Sequence, residues 1–308
     1  MKFKSYLSLI KFSHTIFAMP FAMIGFFLGL NTLMWSVKPG WHTIASQHAE
    51  SSLWIVTQLA FVILCMIFAR SAAMAFNRYL DRNFDAKNPR TAIREIPAGI
   101  ISANNALWFT IISSLLFTIT TYFINRLCFF LSPLALFVVL FYSYTKRFTA
   151  LCHLVLGLGL SLAPIGAFLA VAGRFDLLPL LFSFAVIFWV SGFDIIYALQ
   201  DEEFDKSQQL YSLPAWLGKS KALRVSEIFH LISAGCVIAA GILGHFGVWY
   251  WLGVAVFCGM LIYQHSIVKP NDLRRVNLAF MTANGIASVV FAIFVITDIF
   301  AHSSTHLF

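Results

Sequence analysis

The apolar positions of this chain fall in long unbroken runs, not in strict alternation. Nine runs of roughly 18 to 25 residues lie near 15–37, 53–76, 106–124, 127–145, 151–173, 177–199, 224–244, 248–268 and 276–300. That is the length a helix needs to cross ~30 Å of hydrocarbon. A spanning strand would alternate polar and apolar side chains, so the spans are helices. Any single run could equally be a buried core helix; nine in one chain make that reading untenable. The first run lacks a small-residue cleavage site and more spans follow it, so it is expected to be a retained helix rather than a leader. The pattern predicts an all-α integral membrane protein, with nine transmembrane helices in a single polytopic domain over 1–308.

Composition agrees. Hydrophobic residues make up 60% of the chain and charged residues 11%, against about 25% charged in soluble domains. The net charge of +8 suggests nucleic-acid binding until the charges are mapped. With the N-terminus on the cytoplasmic side, only Lys38, Arg126 and Arg174 of the 21 Lys and Arg fall outside. The asymmetry is the one expected of short cytoplasmic loops. The basic excess therefore reflects topology and suits an anionic lipid leaflet and an anionic substrate, with no nucleic-acid partner. Cys65, Cys128, Cys152, Cys236 and Cys258 are spread through apolar runs without a C-x-x-C pair, which supports neither zinc nor disulfides. His14, His153 and His230 are expected to be polar packing or interface residues.

Two polar interruptions carry chemistry. The second span runs into "NRYLDRNFDAKNPRT", with Asn77, Asp81 and Asp85 spaced four apart. On a helix they form one stripe about 12 Å long. The sixth span ends in "GFDIIYALQDEEFDK", where Asp201 and Asp205 repeat the spacing and Asp194 lies about two turns deeper. Both ends face the cytoplasm by the charge argument, and the echo suits two four-helix units around a central cavity. Solvated helix ends are the ordinary explanation for one such motif. They do not require two pairs and an extra intramembrane acid.

Clustered carboxylates repel unless a cation sits among them. Oxygen ligands without His or Cys favour Mg²⁺, which commonly completes its shell with substrate phosphates. Arg78 and Arg82 interleave with the first stripe; Lys87, Arg90 and Arg94 follow it; Lys146 and Arg147 end the fourth span beside "FYSYTKRF". Acids, metal and fixed cations describe a diphosphate clamp. At the mouth of an apolar cavity, that clamp suits an isoprenoid diphosphate whose tail lies among the 33 Phe, 9 Tyr and 8 Trp of the chain. Some of these rings would face an allylic cation.

These motifs, with "KFSHTIFAMPFAMIG" at 11–25 and "SLPAWLG" at 212–218, resemble those of the UbiA-type intramembrane aromatic prenyltransferases over nearly the whole chain. The resemblance implies nine helices around a central cavity open toward the membrane, with two Mg²⁺ ions bridging diphosphate to the acidic motifs. It implies Asn77, Asp81, Asp85, Asp201 and Asp205 as metal ligands and Arg94 and Lys146 as diphosphate contacts. Arg147 would face the aromatic acceptor. Asp194 is added as a candidate for the group that takes the ring proton, the released pyrophosphate being the alternative. The second motif resembles the 4-hydroxybenzoate polyprenyltransferase branch and its menaquinone-pathway relatives. The expected reaction is Mg²⁺-dependent transfer of a polyprenyl group to a hydroxybenzoate-like acid in ubiquinone or menaquinone biosynthesis, at a bacterial inner membrane with the site loops cytoplasmic. A dihydroxynaphthoate acceptor is the nearer alternative and a cation-coupled transporter the more distant one. Against the transporter, the acids cluster at one mouth, not at the midplane.

Overall fold

The computed structural model describes residues 2–10, 17–35 and 51–305. Among them run twelve α-helices and no strand. They are α1 (Lys2–Leu9), α2 (Met19–Trp35), α3 (Ser52–Lys87), α4 (Ala103–Ile124), α5 (Arg126–Thr145) and α6 (Cys152–Ala172). Then come α7 (Leu177–Ala198), α8 (Glu202–Ser207), α9 (Leu213–Leu217), α10 (Lys219–Leu243), α11 (Val248–Ile267) and α12 (Asn284–Thr305). Eight of these helices, α3 to α7 and α10 to α12, are long and apolar enough to cross a membrane; α2, with 17 residues, is a shorter apolar ninth. The protein is thus a multi-pass membrane protein, with the nine apolar helices that the hydrophobic runs predict. His14 and the first outer loop lie outside the described residues. The five cysteines are free thiols.

Two features of the helix ends shape the site, the first as the stripe predicts and the second a departure. First, α3 does not stop at the edge of its apolar run but continues to Lys87, a total of 36 residues or roughly 54 Å. The Asn77–Asp81–Asp85 stripe therefore rides on a rigid extension of a span. Second, Asp201 and Asp205 do not share one α-helix. A 3₁₀ turn over Leu199–Asp201 separates α7 from α8, which corrects the expected second helical stripe. The Leu199 N–H is shared between the carbonyls of Ile196 and Tyr197, the sharing typical of a helix that tightens as it ends.

Side-chain caps punctuate the short connections. Asn125 closes α4 and opens α5: its Oδ1 accepts from the Cys128 N–H at 2.8 Å, and its Nδ2 donates to the Leu169 carbonyl of α6 at 2.9 Å. Gly173 ends α6 in the left-handed region, at φ 64°, where glycine has no steric penalty.

The main core joins α2, α7, α11 and α12 around the fully buried Trp189, Phe21, Phe257 and Phe291. One polar cluster sits within it. Asn284, just after a π-turn at Leu278–Ala283, accepts from Trp189 Nε1 at 3.0 Å and from Gln264 Nε2 at 2.9 Å, and donates to the Phe280 carbonyl at 3.0 Å. It thus satisfies a carbonyl of the widened turn, as buried backbone requires.

Backbones approach closely where glycine permits. A Cβ on Gly25 of α2 would lie 2.0 Å from the Pro164 carbonyl oxygen of α6, a contact no rotamer change can relieve. Gly25→Ala is expected to cost about 1–3 kcal/mol by overpacking, read as a lower melting temperature in detergent.

Candidate active site

A cavity of about 820 Å³ opens among α3, α5, α6 and α7, and all nine residues named from the sequence line it: Asn77, Asp81, Asp85, Arg94, Lys146, Arg147, Asp194, Asp201 and Asp205. Its polar end is built from the end of α3, the loop 88–102, the end of α5 and the α7–α8 turn. Its apolar end runs between α3, α5 and α6, past Val62, Leu131 and Ala167.

Each acid at the polar end meets a donor from elsewhere in the chain. On α3, Asn77 Nδ2 donates to Asp81 Oδ2 at 3.0 Å, while Arg147 Nη2 reaches Asp81 Oδ1 at 2.8 Å. Arg94 Nη1 lies 2.6 Å from Asp85 Oδ1. Asp201 is gripped by Arg90, whose Nε lies 3.1 Å from Oδ1, and by Asn88 Nδ2 at 3.2 Å. Asp205 is fully buried between Lys146 Nζ at 2.7 Å and the Ser212 hydroxyl at 2.8 Å. Asp194 contacts His153 Nδ1 at 2.6 Å.

The two acidic segments therefore face each other. Asn88 and Arg90, just past the first motif, hold the central acid of the second. Six cations (Arg70, Arg78, Arg90, Arg94, Lys146 and Arg147) and five aspartates line the cavity, so the acids are charge-balanced within the fold, as buried carboxylates must be. Burial by itself would push the Lys146 ammonium down. Asp205 and, behind it, Asp201 reverse that and hold Lys146 above the ordinary lysine range. Arg90 is raised likewise, against burial, by Asp201 and Tyr197.

The donor set also fits a hard cation. Asp85 Oδ2 is buried without a hydrogen-bond partner, and Arg78 Nη1 stands 4.0 Å away from it. Among the described residues no three acidic, His or Cys side chains form a ready metal cage. A cation bound here would share its shell with phosphate or water, as Mg²⁺ commonly does.

Some residues of the site escaped the sequence reading. His153, expected to be a packing residue, is buried at the cavity wall against Asp194. Asn88 and Ser212 bind acids of the second motif. Tyr197 accepts the Arg90 guanidinium both at its hydroxyl, 2.7 Å, and over its ring, 5.0 Å. Arg70 lines the cavity one heptad before Asn77. The i, i+3 spacing of Asp194 and Tyr197 and the "KNPR" after Asp85 were available signals. His153 and Ser212 had none, because their partners lie 41 residues away and across a loop.

Nine apolar helices, several of which enclose a chamber that is greasy at one end and ion-paired at the other, define an intramembrane protein suited to an amphiphilic anion. Comparison with known proteins makes the class specific. The profile of the UbiA prenyltransferase family matches residues 32–286, and the chain belongs to that family: it is a prenyltransferase. A relative from Nitrosomonas europaea, named 4-hydroxybenzoate octaprenyltransferase, is 31% identical over 265 residues, covering 86% of this chain and 89% of the relative. The apo structure of a UbiA homolog from Aeropyrum pernix superposes with a TM-score of 0.73 at 27% identity, over 94% of this chain and 98% of that one. A UbiA homolog from Archaeoglobus fulgidus, bound to DMAPP and Mg²⁺, shares the fold with a TM-score of 0.69 at 19% identity, over 96% and 99%.

Proposed function

We propose that the protein transfers a polyprenyl group from its diphosphate to a carboxylated aromatic acceptor of the 4-hydroxybenzoate type, releasing diphosphate, in ubiquinone or menaquinone biosynthesis. The observation that carries this reading is the meeting of both acidic motifs and six cations in one cavity that continues into an apolar chamber. The name of the Nitrosomonas relative supports the acceptor. The charge asymmetry supports a cytoplasmic polar end, and the bacterial relative supports a bacterial inner membrane.

Asp81, Asp85, Asp201 and Asp205 are the residues that would hold Mg²⁺, with Asn77 orienting Asp81. When bound, the metal would neutralise charge on the departing diphosphate. Arg94 and Lys146 bind Asp85 and Asp205 here; in the reaction they would turn to phosphate oxygens and stabilise the same developing charge. The allylic C–O bond ionises, the electron-rich ring attacks the prenyl cation, and Asp194 takes the ring proton. The Phe193 and Phe280 side chains at the cavity wall are the aromatic groups for the cation. The apolar lining excludes the water that would quench it. Arg147 is largely committed to Asp81 and to the Ser143 and Leu80 carbonyls, so its effect on the acceptor runs through Asp81. Arg70, seven residues before Asn77 on α3, also lines the cavity and is a second guanidinium for the acceptor carboxylate.

Product analysis by mass spectrometry tests the reading. Membranes containing the protein receive Mg²⁺, prenyl diphosphates of several lengths, and 4-hydroxybenzoate, phenol or 1,4-dihydroxy-2-naphthoate. Prenylated hydroxybenzoate is expected, with phenol a poor acceptor; product from naphthoate alone would overturn the acceptor. Chain length is readable in the same assay. Gly166 lines the apolar cavity wall, and a Cβ there would meet nothing within 4 Å, so helix packing does not demand a glycine. Gly166→Phe should lower kcat/KM for the longest prenyl diphosphates by about 10-fold or more, while dimethylallyl diphosphate is nearly unaffected, in line with the 1–3 kcal/mol that pocket volume contributes to selectivity.

A further inference from the structure

The buried His153 and the half-buried Asp194 form a pair that the family's acidic motifs do not account for. His153 opens α6 and Asp194 sits near the end of α7. The two helices are locked at this level: the Ser191 hydroxyl donates to the His153 carbonyl at 3.0 Å, and Gly157 brings α6 so close to α7 that a Cβ would lie 2.4 Å from the Ile187 carbonyl oxygen. The imidazole is 2.6 Å from Asp194 Oδ2 through Nδ1, and its Nε2 lies 3.3 Å from the Leu213 backbone nitrogen.

That second contact decides the chemistry of the pair. A backbone N–H only donates, so Nε2 must present its lone pair. The ring proton of the histidine is then on Nδ1, pointing at Asp194. An imidazolium would put N–H against N–H at Leu213. The pair therefore consists of a neutral imidazole donating to a carboxylate, the arrangement in which a neighbour fixes tautomer and orientation. Leu213 itself is held beside the metal-type acids, because the preceding Ser212 caps α9 and donates to Asp205 Oδ2. The stretch "SLP" at 212–214 thus touches both Asp205 and His153.

We propose that His153 is a positioning residue. Locked by Leu213 as an Nδ1 donor, it keeps Asp194 aimed into the cavity, ready to accept the proton released when the ring is prenylated. This rests on the reading above in which Asp194 is the acceptor. In that step the C–H bond at the newly prenylated ring carbon breaks and its electron pair restores the aromatic ring. The proton forms an O–H bond on Asp194, cancelling the positive charge of the ring and the negative charge of the carboxylate. The hydrogen bond to His153 occupies one carboxylate oxygen without supplying a proton to the cavity, and the other oxygen is left for the substrate.

Three variants at one position test the geometry: His153→Asn, whose amide N–H replaces Nδ1; His153→Gln, whose amide reaches toward Leu213 instead; and His153→Leu, which does neither. Each is assayed in detergent with Mg²⁺, geranyl diphosphate and 4-hydroxybenzoate, protonated or deuterated at the two positions beside the hydroxyl, and its melting temperature is recorded. His153→Asn should stay within a few-fold of wild type. His153→Gln and His153→Leu should lose about 10- to 100-fold in kcat, the usual range for a residue that orients a ligand or base. KM for geranyl diphosphate should hold, and a larger ring-deuterium isotope effect should appear as proton loss becomes limiting. Equal kcat and equal isotope effects in the three variants would overturn the proposal. Asp194→Asn separates the underlying reading: if it keeps wild-type kcat, Asp194 is not the acceptor, whereas a loss there alongside indifferent His153 variants indicts only the positioning role.

Discussion

Asp81→Asn and Asp201→Asn, made separately, are each expected to cut Mg²⁺-dependent pyrophosphate release by about 10²- to 10³-fold, the usual loss when one preorganised electrostatic group of a catalytic site is removed. The amide keeps the size of each side chain and most of its hydrogen bonds: Asp81 can still meet Arg147 and Asp201 can still meet Arg90 and Asn88. What it removes is the negative charge that a divalent cation requires. The two acids belong to motifs 120 residues apart, so equal losses mean that one head group is shared between them. Pyrophosphate release in nanodiscs over a Mg²⁺ titration is the measurement. Either variant turning over with the wild-type Mg²⁺ dependence would remove that motif from the metal site and with it the two-sided clamp.

The second large effect is on stability. Asp205 is fully buried, and its ion pair is with Lys146 at 2.7 Å. Lys146→Met leaves the buried carboxylate with the Ser212 hydroxyl and should destabilise the fold by up to about 3 kcal/mol, the low end of the range for breaking a buried pair because the Lys146 side chain is 34% exposed. Lys146→Met combined with Asp205→Leu removes both charges and should recover most of that loss, because the desolvation of two ions disappears together with their attraction. Activity should not recover, since neither the metal-type acid nor the phosphate-type cation remains. Denaturant or thermal unfolding of the two variants in one detergent checks this; a double variant no more stable than the single would show that packing, not charge, holds the α5 end to α8.

How much of this was legible beforehand differs between elements. The nine spans were readable because hydrocarbon demands long apolar runs, and nothing soluble imitates nine of them. The first acidic stripe was readable because α3 simply continues, so i, i+4 spacing kept its helical meaning from Asn77 to Asp85. The same spacing misled at Asp201 and Asp205. There a 3₁₀ turn of three residues breaks the helix, and no glycine or proline within the motif announces it. The cations were readable as a population, but their assignments were not. Arg147 went to Asp81, Lys146 to Asp205 and Arg90 to Asp201, a matching set by which segment ends meet at the mouth.

The sequence alone determined the membrane setting, the helix count and the presence of two acid-rich ends, because these follow from local hydrophobicity and spacing. Only the tertiary structure decided that the two ends share one cavity, that four of its five aspartates each have a cation of their own, and that His153 is turned toward Asp194 by a backbone N–H sixty residues further on. Pairings of that kind depend on helix packing. Small residues such as Gly25 and Gly157 set how near the helices come, and no periodicity along the chain encodes which distant side chains are then left facing each other.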